Sequence, residues 1–159
     1  GDSCNWSTFE SISKKVKSIL YGFNNEKAGD LWYGKKTSND ETFNLLKQHR
    51  AYFYAGTKPA NYTLNFMEAL IIGIPIVAVG KKLGNLTDWD TYEIPNLISD
   101  DNGIVSDDIN ELVEYTNYLF NNYKEAKKIS ENNKKLAGKL FDVNIIKEQW
   151  RNFLNEYIN

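Results

Sequence analysis

Several things are scarce in this sequence. Cysteine occurs once, at Cys4, so neither a disulfide framework nor a cysteine-spaced zinc site can be built. No apolar run approaches the ~20 residues that a membrane-crossing helix needs. Positive charge is not in excess: 19 Lys and Arg stand against 21 Asp and Glu, for a net charge of −2. That balance argues against nucleic acid as the main partner. The first residues lack the positive, then apolar, then small-residue order of a secretion signal, so a cytoplasmic location is expected. Internal repeats and low-complexity linkers are also missing.

What is present suits one compact domain spanning residues 1–159. A chain of this length buries roughly 70% of its extended surface and needs no metal or disulfide to stay folded. It opens Gly1-Asp2, and its only methionine is Met67. We read it as a domain of a longer protein, with a partner domain upstream. With no secretion signal, the Asn-x-Ser/Thr triplets at Asn5, Asn61 and Asn85 read as chance.

Apolar spacing predicts a short helix over residues 6–15, from Trp6, Phe9 and Ile12. Strands are expected at "VKSILYGF" and "DLWYG". Ser38 and Glu41 form a capping-box match that opens a helix over 39–49. "AYFYAG" reads as a strand, followed by a helix over 62–72 that Gly73 ends in a left-handed conformation. "PIVAVG" is a strand buried on both faces. Residues 81–96 read as polar and irregular. A last short strand falls at Ile104-Val105, and three helices follow, capped at Asp107 or Asp108 and at Asp142. Alternating strands and helices imply a mostly parallel sheet. The fold expected is a three-layer, Rossmann-like α/β domain with a helical C-terminal strap.

In such sheets ligands bind beyond the carboxyl ends of the strands. Two strand ends stand out: Gly34-Lys35-Lys36, and Ala55-Gly56-Thr57-Lys58 before the helix over 62–72. A helix N-terminus attracts anions through its free N–H groups, and Lys58 adds a positive charge. Glu68 sits among Leu64, Met67 and Leu70, where an unpaired carboxylate is costly. A pair of ribose hydroxyls would satisfy it. From spacing alone, a solvent-facing Glu68, or one bracing a loop, is the plainer reading.

The segment "TKPANYTLNFMEALIIGIPIVAVG", with the later "YEIPNLISDDNGIV", resembles the donor-binding half of GT-B glycosyltransferases, in particular the retaining family 4. Tyr62, Thr63 and Leu64 stand for that family's aromatic-glycine-leucine, Glu68-Ala69 for its Glu-Ala, and 73–78 for its Gly-x-Pro strand entry. "FDVNIIKEQWRNFL" looks like its closing helix. The resemblance implies half of a GT-B fold and, in the intact protein, a hexosyltransferase using a nucleotide-sugar donor without metal. An N-terminal domain would bind the acceptor, and the isolated domain would be inactive. It implies that Glu68 holds the nucleotide ribose. Thr57, Lys58, Asn61, Tyr62, Thr63 and Leu64 would cradle the diphosphate and sugar, and Gly34 and Lys35 would border the base. The sequence departs from the pattern at Ala60, where the family has a first glutamate, at Pro95-Asn96, and at 24–27, where the basic grip on the diphosphate is missing. A degenerate, non-catalytic binding or interaction module is the alternative, and a flavodoxin-like regulatory domain is a weaker one.

Three further signals take plainer readings. "DWD" at 88–90 lies in a polar loop and is not expected to hold metal. His49 ends a helix and reads as structural. Lys124, Lys127, Lys128, Lys134 and Lys135 form a solvated helix face, or a peripheral membrane contact if the acceptor is a lipid.

Overall fold

In the computed structural model, residues 4–21, 25–33, 38–88 and 90–158 are described. Helix α1 (Trp6–Ser13) comes first, then a 3-10 segment (Glu26–Leu31). Helix α2 (Asn39–Leu46), strand β1 (Tyr52–Tyr54), helix α3 (Leu64–Ile72) and strand β2 (Ile76–Val79) follow. Helix α4 (Ile94–Leu97) leads to strand β3 (Gly103–Ser106). Helices α5 (Ile109–Asn121), α6 (Tyr123–Phe141) and α7 (Val143–Ile158) complete the chain.

The three strands form an open parallel sheet in the order β1-β2-β3, with Tyr52 opposite Ile76 and Ile76 opposite Gly103. All four residues of β2 are buried, as its unbroken apolar run demands of a central parallel strand. Side chains alternate between two cores. Tyr54, Ile76 and Ala78 pack with Phe66, Ala69 and Leu70 of α3 and with Ile94 of α4. Val77 and Val79 pack with Ile12 of α1, Leu112 and Leu119 of α5, and Ile129 of α6. The result is a helix-sheet-helix arrangement compatible with a Rossmann-like layout, smaller than the sequence suggests.

The shortfall lies at the N-terminal side. Among the described residues, the two strands expected at 16–23 and 30–34 reduce to one isolated parallel bridge, Leu20 to Trp32. Lys15 and Lys17 flank Val16, and the Ser18 hydroxyl donates back to the Val16 carbonyl at 2.9 Å. Such local side-chain bonding competes with a strand ladder. Residues 26–31 coil instead, with a kink at Gly29 (φ 55°).

Residues 81–96 correct the sequence reading in the other direction. Leu86, Tyr92 and Ile94 are fully buried. The Tyr92 hydroxyl donates to the Val79 carbonyl at 2.7 Å, and its ring stacks on Tyr54. This irregular segment therefore plugs the sheet beyond β2. Lone apolar residues without a period of 2 or 3.6 carry no signal that a pattern search can find.

The helix ends follow local chemistry. Thr63 caps α3, its hydroxyl accepting from the Phe66 amide. Gly73 terminates α3 at φ 89°, and a side chain there would strike Ser130 of α6. Asp108 caps α5, and Asp142 accepts from the Asn144 amide to start α7. Among the described residues, no helix is long and apolar enough to cross a membrane.

Candidate functional site

Because β1 runs directly into the loop that opens α3, the head of α3 lies at the carboxyl edge of the parallel sheet. Loop 55–63 is pinned there from several sides. Asn5, left-handed at the start of α1, donates to the Ala55 carbonyl at 2.7 Å. Gly56 (φ 81°) packs so closely on Leu86 that a Cβ would not fit. Asn61 donates to the Glu93 carboxylate at 2.9 Å.

An open cleft of about 1640 Å³ runs along the free edge of β1 and reaches this loop. Tyr52, Tyr54, Ala55, Gly56, Thr57, Thr63 and Asn65 belong to its wall. Its charge is one-sided: Lys15, Lys17, Lys47, Arg50, Lys127 and Lys134 line it, and Asp30 is the only acid among them. Arg50 is held by a cation–π contact over Tyr123, 5.2 Å from the ring centre. The cleft gathers cations from the turn between α2 and β1, from α6 and from the N-terminal segment. Lys127 and Lys134 are exposed, as a solvated helix face requires, and also border it.

Tyr54 is the unexpected member of the site. It is 4% exposed, and the Thr57 and Thr63 hydroxyls stand close to its own, short of strict hydrogen-bond geometry. Burial raises its pKa, and hydrogen bonding by those two hydroxyls opposes the rise. Tyr52 beside it is also raised, first by burial, then by Tyr54, with a smaller push from the Glu68 carboxylate. Nothing in the sequence marks these two tyrosines as more than strand residues.

Glu68 is half-buried and makes no hydrogen bond or ion pair with any described residue. It lies between Asn65 and Ile72, both in the cleft wall, on the same side of α3 by helical spacing. The Glu68 side chain itself is not part of that wall.

The other candidates divide. Thr57 and Thr63 meet at the cleft. Lys58 is half-buried in the loop and forms no ion pair with a described residue. Asn61 is engaged with Glu93. Tyr62 packs between Phe66 and Phe141 and belongs to the core. Leu64 is 73% exposed at the first turn of α3. Gly34 and Lys35 lie outside the described residues, as does Trp89 of the "DWD" triplet, whose Asp88 and Asp90 are exposed. No group of three or more His, Cys, Asp or Glu among the described residues could hold a metal ion.

His49 is more engaged than its reading as a surface residue implies. Its Nε2 lies 2.6 Å from the Tyr21 hydroxyl across the cleft, and burial lowers its pKa.

The fold and site define a class: an open parallel α/β domain with a broad cleft along the free edge of its sheet, its cations gathered toward the amino ends of the strands. Comparison with models of known protein families gives no match, and comparison with curated proteins gives none.

Proposed function

We propose that the chain is the nucleotide-sugar-binding half of a retaining GT-B-type glycosyltransferase, which moves a hexosyl group from a nucleoside diphosphate to an acceptor held by a second domain. One observation carries this reading. The head of α3 opens at the carboxyl edge of the sheet, with the half-buried Glu68 unpaired among the described residues one turn further on.

In this reading the diphosphate lies over the first turn of α3. There the Leu64 and Asn65 amides have no intrahelical acceptor, and Lys58 stands nearby. Glu68 accepts from the two ribose hydroxyls and moves no proton. During transfer the bond between the anomeric carbon and the β-phosphate oxygen breaks, and the leaving diphosphate gains negative charge. Fixed amides and cations stabilise that charge more in the transition state than in the ground state. The cleft cations raise the local concentration of an anionic donor.

Calorimetric titration with UDP-, GDP- and ADP-sugars tests the proposal. Binding by one of them, weakened in Glu68→Gln, is expected. A second reading, a degenerate binding or interaction module, is favoured by Ala60 and by the commitment of Asn61 and Tyr62 to internal contacts. Absence of binding at millimolar ligand selects it.

A further inference from the structure

Helix α7 presents a face that the other described residues leave uncovered. Val143, Ile146, Trp150, Phe153 and Tyr157 fall at alternating spacings of three and four. That is the a/d repeat of a two-stranded coiled-coil seam. No residue of α7 is buried, and the helix packs chiefly against α6. Trp150 is 60% exposed and Tyr157 75%. The rings of Trp150, Phe153 and Tyr157 touch in sequence, with centroids 5.8 and 4.7 Å apart. They form a continuous aromatic ridge, flanked by exposed Leu154 and Ile158.

We propose that α7 pairs with α7 of a second copy of this chain, seam against seam. The available area fits that occupant. With about 200 Å² per fully exposed large side chain, the seam residues offer roughly 500 Å², and the flanking Leu154 and Ile158 bring the total to roughly 700 Å². That approaches the roughly 800 Å² per partner of a standard interface. Charge permits it as well. Lys147 and Arg151 balance Glu148 and Glu156, and Arg151 is paired with Glu148 off the seam. Two copies therefore meet without net repulsion. A two-fold contact buries the same patch on both chains and closes on itself, which removes a ridge that would otherwise drive open-ended association. This inference is independent of the nucleotide-sugar reading.

Sedimentation equilibrium on the full chain tests it, from about 1 to about 100 μM, where an interface of this size should show. Wild-type protein should be dimeric at the upper end. The double variant Trp150→Glu, Phe153→Glu should dissociate about 30-fold more readily, as loss of central aromatic anchors does. Its circular dichroism and melting temperature at low concentration should be unchanged, because α7 contributes nothing to the core. Asn144→Glu, off the seam, should leave the dimer intact. A monomer throughout the range, or a dimer that persists in the double variant, overturns the proposal.

Discussion

At Asn133 the chain buries an amide completely. Its Nδ2 donates to the carbonyls of Ile74 and Asn102, and its Oδ1 accepts from Asn102 Nδ2. One α6 side chain thus ties down the turns that lead into β2 and β3. Asn133→Leu strands the buried Ile74 carbonyl and removes two bonds to Asn102, and should lower stability by about 2–4 kcal/mol, read as a lower urea midpoint with an unchanged m-value. Glu68 is the opposite case. It has no partner among the described residues, so Glu68→Gln should move stability by less than about 0.5 kcal/mol. Donor affinity should fall about tenfold or more, since hydrogen bonds to a charged group carry roughly 1.5–3 kcal/mol. His49 gives a pH signature. Its native pKa lies below the usual value of about 6.5. Below that pH the unfolded chain binds a proton that the folded chain resists. Stability from this residue is therefore present above pH 6.5 and declines as pH falls, levelling off beneath the native pKa. Thermal melts from pH 8 to 5 should show a shallower acid loss in His49→Gln than in wild type. At this scale the sequence pointed to the caps at Asp108 and Asp142, because each follows from local spacing, and to Glu68 only through the resemblance. It could not point to Asn133, whose importance comes from partners far along the chain.

Among the elements, α3 and β2 were legible because several signals agree: a helical stripe, a left-handed glycine, a proline and an unbroken apolar run. The parallel register adds a demand that no local signal shows. Gly103 faces the β2 backbone so closely that an added Cβ would lie on the Ile76 carbonyl. Gly103→Ala should therefore cost at least about 2 kcal/mol through displacement of β3, measured by chemical unfolding. Thr63→Ala removes the acceptor for the Phe66 amide and should cost about 1 kcal/mol, detectable as a lower melting temperature. The segments at 16–23 and 30–34 misled because β-branched and aromatic content describes a surface that suits a sheet, not a partner strand that is there to pair. Helix α4 was hidden for a different reason: four residues are too few to show a period.

For the whole molecule, the parallel α/β class followed from the alternation of elements, and the two-faced burial of β2 confirms it. The gathering of cations along the cleft was not legible at all. They come from the turn between α2 and β1, from α6 and from the N-terminal segment, and the overall charge of −2 conceals them. The account's central claim is that a nucleotide-sugar sits at the head of α3. Backbone-amide NMR of the full chain, titrated with UDP-, GDP- and ADP-sugars, tests it most directly. The account predicts shifts concentrated at the amides of 55–68 with one of the three donors, and their loss in Glu68→Gln. No shift at millimolar donor, or shifts confined to residues remote from that loop, would contradict it.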